Sequence, residues 1–270
     1  MPNRRTRERQ LAKLAQRRAA ERRKKRRQRT LVASLAVLIA LAGLSFGFVL
    51  IFRNTSPKTK PVAKASVTPT PTATPTLAGG VACGGTVPAA SAVKKPTFTK
   101  APKMSIKATK TYTATMVTSC GTVVMKLLRK ESPNTVNSFV FLARHHFYDG
   151  LIFHRLSRDF VIQGGDPTGT GTGGPGYKTV DAPPKDAKYT VGVVAMAKSG
   201  AEPAGTSGSQ FFIVTGSQGA SLTPDYAIIG TVVSGQDVAT KIDQLPIEGN
   251  ASDGRPTQTI YIVKVTIKES

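Results

Sequence analysis

Tryptophan is absent from this 270-residue sequence, cysteine occurs twice, histidine three times, and acidic residues number 15 against 38 Lys and Arg. These shortages exclude several kinds of chemistry. His145 and His146 are adjacent and so point in different directions, and neither they nor His154 has an acidic or thiol partner spaced for coordination; no metal site is expected. Asp166 and Asp181 have no evident acid–base partner, which leaves a hydrolase without support. The glycines at 169, 171 and 174 fit a dinucleotide-binding spacing, but the strand before and the helix after that such a motif requires are missing, so the segment is read as a loop. Gly176-Tyr177-Lys178-Thr179 breaks the Gly-Lys pair of a phosphate loop. No cofactor is expected.

Charge is also missing from one whole stretch. Residues 31–52 hold no charged side chain. At about 1.5 Å per residue, such a helix is long enough for a hydrocarbon core of ~30 Å. A buried soluble helix of this length would show a polar face. A cleaved signal peptide would have a shorter apolar region of roughly 7–15 residues, and the one small-x-small triplet, Ala63-Lys64-Ala65, lies well past the apolar end. An uncleaved transmembrane anchor is expected. The net charge of +23 is concentrated before it: residues 1–30 carry fourteen Lys and Arg against Glu8 and Glu21. A basic flank stays cytoplasmic, which places everything after Arg53 outside. The tail can also touch anionic lipid, at about 1 kcal/mol per basic residue near the surface. No recognition motif supports specific nucleic-acid binding.

After the anchor, the Pro/Thr run ending at Thr76 has too little apolar surface to offset ordering entropy and reads as an extended, disordered stalk. Residues 81–110 are small, basic and Pro-interrupted, and form an arm. From Tyr112 onward the pattern changes. Strand-like runs occur at 113–117, 122–128, 152–155, 161–163, 192–196, 211–214, 227–232 and 259–267. Ser132-Pro133 reads as an N-cap and first helical position ahead of an apolar face of Val136, Phe139, Val140 and Ala143, and a second short helix is expected at 236–244. Eight strand runs with two helices argue for a mainly β barrel closed by helices. The division is then a basic tail 1–30, an anchor 31–52, a stalk and arm 53–111, and a domain 112–270. Cys83 and Cys120 both lie outside in this topology, where an even count favours a disulfide over two unpaired thiols.

Two separated segments carry the chemistry. In Phe153-His154-Arg155-Leu156-Ser157-Arg158-Asp159-Phe160-Val161-Ile162-Gln163-Gly164-Gly165-Asp166, an arginine stands among apolar strand residues with a glutamine eight positions on. In Gly208-Ser209-Gln210-Phe211-Phe212-Ile213, an amide again stands beside aromatic rings. Together, and in this order, they resemble the two signature segments of the cyclophilin family of peptidyl-prolyl cis-trans isomerases. The resemblance covers about residues 113–268 and implies a closed eight-stranded antiparallel barrel capped by two helices.

It also implies roles for individual residues. Arg155 matches the catalytic arginine, Gln163 the glutamine that orients it, and Phe160 with Val161, Phe212 and Leu222 the apolar pocket for a proline ring. His154 and Gln210 match polar rim positions, Ala197 and Lys198 a segment that contacts substrate backbone, and Tyr226 a position that is histidine in many members. Val161 replaces the usual methionine, and Lys198 stands where asparagine is common. Ser221 stands where many eukaryotic members carry tryptophan, which predicts weak cyclosporin binding. The implied partner is a proline-containing polypeptide, here one folding after export, and the protein is expected to act as a monomer. A non-catalytic prolyl-peptide binding module or membrane-surface chaperone is the alternative reading.

Overall fold

In the computed structural model, which describes residues 77–270, the alternation of Tyr112, Ala114, Met116 and Thr118 with Thr113, Thr115 and Val117 becomes strand β1 (Tyr112–Thr118), the first set facing the core. A two-residue turn returns the chain into β2 (Gly121–Leu127), with Thr118 opposite Gly121. Thr118 holds that turn, its hydroxyl donating to Gly121 O (2.7 Å) and accepting from Cys120 N (3.1 Å).

The remaining strands are β3 (Leu151–Ser157), β4 (Val161–Gly164), β5 (Thr179–Val180), β6 (Val193–Met196), β7 (Thr206–Ser207), β8 (Phe211–Val214), β9 (Ile228–Ser234), β10 (Asp253–Gly254) and β11 (Ile260–Glu269). Eight of them close a circuit, β3–β11–β1–β2–β9–β6–β8–β4 and back to β3, every neighbour antiparallel. These are the eight runs that the sequence pattern predicts. Closure leaves no free edge to the barrel. Two-residue β10 adds to β3 beside β11, and β5 pairs with β7 apart from the barrel.

Helix α1 (Pro133–Arg144) buries Val136, Phe139, Val140 and Ala143, the expected face, and Phe139 meets Phe211 edge-on at 6.2 Å between ring centres. Ser132 is at the N-cap, yet its hydroxyl donates to Ile228 O (2.8 Å), and the open N–H of Thr135 is taken by the Asp181 carboxylate (2.6 Å). The anion at the helix start therefore comes from 46 residues away in sequence. Helix α2 (Gln236–Asp243) buries Ala239 and Ile242. The barrel interior is filled by Met116, Met125, Leu151, Phe153, Leu156 and Phe211 among others, so it is a core and not a channel.

The arm packs along the barrel. Val81 bridges in parallel to Thr259, and Cys83 is disulfide-bonded to Cys120 in the β1–β2 turn. Phe98 stacks edge-on against Phe141 (5.0 Å), and Phe98 N donates to Pro175 O (2.8 Å). Asn137 on α1 accepts from Ser105 N and Ile106 N at 2.9 and 3.3 Å. Lys95 reaches back to the Asp149 carbonyl. Among the described residues no helix is long and apolar enough to cross a membrane. The basic tail 1–30, the anchor 31–52 and the stalk up to Thr76 lie outside the described residues.

Candidate active site

Directly opposed residues on neighbouring strands share a face of the sheet. Arg155 on β3 opposes Gln163 on β4, Gln163 opposes Phe212 on β8, and Phe212 opposes Ala195 on β6. These four form one row on the outside of the barrel, while Ile162, Phe211, Ile213 and Val194 between them join the interior. A bulge makes the row possible: Phe153 opposes Gly164 but Arg155 opposes Gln163, so β3 carries one extra residue at His154. Phe153 and Leu156 both turn inward, and Arg155 is aimed outward between them.

The outer row borders a cavity of about 190 Å³. Phe160, Val161, Phe212 and Leu222 give it apolar walls, with Tyr226, Ala197 and Lys198 on one side and Arg155 and Gln163 on the other. Beneath it lies a second apolar cluster, separate from the barrel core, in which Val161, Tyr189, Val193, Ala195, Phe212 and Val214 are buried. Tyr189 stiffens this floor. Its hydroxyl donates to Tyr226 O (2.7 Å) and accepts from Tyr226 N (3.0 Å), and the Tyr226 ring meets Phe212 edge-on at 5.4 Å.

Arg155 is fixed from two sides. Its Nη1 donates to Gln163 Oε1 (3.1 Å), and Gln163 Nε2 donates to Gln210 Oε1 (3.1 Å). Gln210 Nε2 in turn donates to Gly171 O and Gly173 O (3.0 and 2.9 Å). Those glycines belong to a loop wrapped around the Asp166 carboxylate, which accepts from Thr168 N and Oγ1, Thr170 N, Gly171 N and Gly173 N at 2.5–3.2 Å. Burial pushes the Asp166 carboxyl up, but the bonds from Thr168, Gly173 and Gly171 together outweigh it and hold the group below its ordinary value. The glycine spacing therefore serves a carboxylate within the chain. On the other side, Arg155 Nε and Nη2 donate to Asp253 Oδ1 and Oδ2 (2.7 and 2.5 Å).

Nine sequence-predicted residues thus meet at one cavity: Arg155, Phe160, Val161, Gln163, Ala197, Lys198, Phe212, Leu222 and Tyr226. Gln210 sits beside them, lining an adjoining cavity of about 310 Å³ that shares Gln163, Ala197 and Lys198 with the first. His154 lines neither of these two cavities: it is only 8% exposed, neither ring nitrogen has a hydrogen-bond partner among the described residues, and it lies against Gly171. Burial lowers its pKa, Asp166 opposes that, and Arg155 and Arg255 add to the lowering, so the neutral ring is favoured. Lys198 presents its backbone, since its ammonium is held by Asp225 (2.7 Å) and Glu202 O (2.9 Å) with the side chain 3% exposed. Asp253, Tyr189 and Asp166 have supporting positions that the sequence patterns do not reveal. Among the described residues, no group of three or more His, Cys, Asp or Glu is placed to hold a metal.

A closed eight-stranded antiparallel barrel with a filled interior and two helices is a cyclophilin-like fold. The chain belongs to the cyclophilin type peptidyl-prolyl cis-trans isomerase family, whose model matches residues 113–267. It is 36% identical over 157 residues to the peptidyl-prolyl cis-trans isomerase CYP18-2 of Arabidopsis thaliana, covering 57% of this chain and 92% of that one. It is 38% identical over 175 residues to peptidyl-prolyl cis-trans isomerase A of Mycobacterium tuberculosis, covering 58% and 92%. A crystal structure of a cyclophilin type isomerase from Cryptosporidium parvum aligns with a TM-score of 0.53 at 31% identity, over 58% of this chain and 98% of that one.

Proposed function

We propose that this isomerase accelerates rotation about X-Pro bonds in exported proteins, from a site on the outer side of the membrane in which Arg155 is the catalytic group. Rotation is slow because amide resonance imposes a barrier of ~18–20 kcal/mol. No bond breaks, so the enzyme needs only to hold the proline and favour the twisted amide. As the amide twists, the prolyl nitrogen loses conjugation and becomes a hydrogen-bond acceptor. The Arg155 guanidinium, fixed at the cavity edge, donates to that nitrogen and to the neighbouring carbonyl, an interaction made most strongly in the twisted state. Phe160, Val161, Phe212 and Leu222 take the proline ring, and the main chain at Ala197 and Lys198 takes the flanking peptide.

The observation that carries this reading is the outer row of Arg155, Gln163 and Phe212 beside the 190 Å³ cavity. A solved structure of the Cryptosporidium parvum relative in the presence of the dipeptide Ala-Pro supports the ligand class. Support for exported clients comes from the charge-free run 31–52 behind a basic tail, and from the Cys83–Cys120 bond, a linkage that persists in oxidising compartments. Protease added to intact cells, stripped of any outer membrane, should release an active isomerase fragment. Digestion only after lysis would reverse the topology, and a mature N-terminus near Ser66 would show cleavage and secretion instead.

A further inference from the structure

We infer that Asp253 is a positioning residue for isomerisation: its carboxylate holds the Arg155 guanidinium in the orientation that presents the remaining N–H groups to the substrate. The inference rests on the proposed role of Arg155 and concerns a residue 98 positions away in sequence. Arg155 has five N–H donors in a rigid plane. Nε and Nη2 each give one to Asp253, and Nη1 gives one to Gln163 Oε1. One N–H on each terminal nitrogen is left for a substrate at the cavity that Arg155 lines. A guanidinium gripped along one edge by a carboxylate and at a second point by an amide is fixed in both tilt and rotation.

Asp253 is itself well placed to serve as the fixed partner. It lies on β10, opposite Ser157 on β3, and the Ser157 hydroxyl donates to its Oδ2 (3.1 Å). The segment is pinned by Arg158 N to Ser252 O (2.8 Å) and Glu248 N to Arg255 O (2.9 Å), and by the bridge between Ile247 and Pro256. The Arg155 bonds lower the Asp253 carboxyl below its ordinary value, more than burial raises it. Both side chains are partly exposed, at 36% and 46%. An exposed ion pair adds little stability, so the effect to look for is on catalysis and not on folding.

Without Asp253, Arg155 keeps its Gln163 bond but regains rotamer freedom, and the productive orientation is populated about tenfold less. The test is steady-state isomerisation of a prolyl peptide by the full chain carrying D253A, D253N, R155A, or D253A with R155A, beside thermal melts of each. We expect D253A to lower kcat about tenfold with KM within about twofold and an unchanged melting temperature. D253N, which keeps only one acceptor, falls between wild type and D253A. In the R155A background, D253A should have no further effect, because both act through one guanidinium. A kcat within twofold of wild type in D253A overturns the inference, as does a loss confined to KM or an independent further loss in the double variant. If D253A melts lower, the same criteria are applied to D253N. Undiminished activity in R155A is a different failure, since it removes the proposed role of Arg155 itself.

Discussion

Removing the Cys83–Cys120 bond should destabilise the protein while leaving its chemistry intact. The bond joins residues 37 apart in sequence, and chain-entropy bookkeeping for a loop of this size gives about 4 kcal/mol. How much of this is seen depends on whether the arm stays docked when the bond is gone. Here it has other anchors: the bridge of Val81 to Thr259, Phe98 against Phe141, and Asn137 accepting from Ser105 and Ile106. The folded state should therefore survive, and most of the effect should come from the freed unfolded chain. For a domain of this size about 4 kcal/mol corresponds to a fall in melting temperature of roughly 8–16 °C. Melts of a Cys83→Ser/Cys120→Ser variant, followed by circular dichroism because the chain lacks tryptophan, measure it directly. Neither cysteine lines the cavity, so turnover at 25 °C should stay within about twofold of wild type. A melting temperature within 2 °C of wild type would refute the reasoning, and alkylation of both cysteines in non-reduced protein would remove the bond from the account.

Phe212→Ala removes a ring that is 5% exposed and edge-on to Tyr226, and should cost about 3–5 kcal/mol in stability as well as weakening prolyl-peptide binding; unchanged peptide affinity in titration calorimetry would show that the ring is not the wall of the substrate slot. Because the Asp166 carboxyl is held below its ordinary value in the folded protein, its contribution is complete above about pH 4–5, the range of unfolded carboxyl groups, and is lost as pH falls through the folded value. Asp166→Asn should cost roughly 1–3 kcal/mol at pH 7, by removing the charge from bonds to the partly buried N–H groups of Thr170, Gly171 and Gly173, and should reduce the loss on acidification; urea titrations at pH 7 and pH 3 that superimpose for wild type and variant would contradict this. The same substitution loosens the carbonyls that hold Gln210, so kcat should fall with it.

The parts of the fold that depend on local pattern could be read from residues alone. The eight strand runs are set by alternating or short continuous β-branched and aromatic segments and the helices by helical spacing of apolar residues, and Arg155, Gln163 and Phe212 lie in two short segments of high information. What could not be read depends on the third dimension. A bulge shifts every side chain downstream to the other face, and no pattern within 153–157 announces the one between Phe153 and Arg155. Asp181 at the start of α1 and Asp253 beside Arg155 act across 46 and 98 residues, separations at which no local spacing rule applies. The arm has few apolar residues, and its packing depends on single anchors such as Phe98 and the disulfide, which composition averages away.

On the proposed mechanism a fixed arginine, presented beside an apolar slot, lowers the barrier to prolyl rotation. The most direct measurement is the isomerisation rate of a prolyl peptide by purified Arg155→Ala against wild type, with a melt to verify folding. Loss of one charged donor to the twisted state corresponds to about 2.7–4 kcal/mol, a fall of 10²–10³ in kcat/KM. A folded variant that keeps more than about half of the wild-type rate would contradict the account.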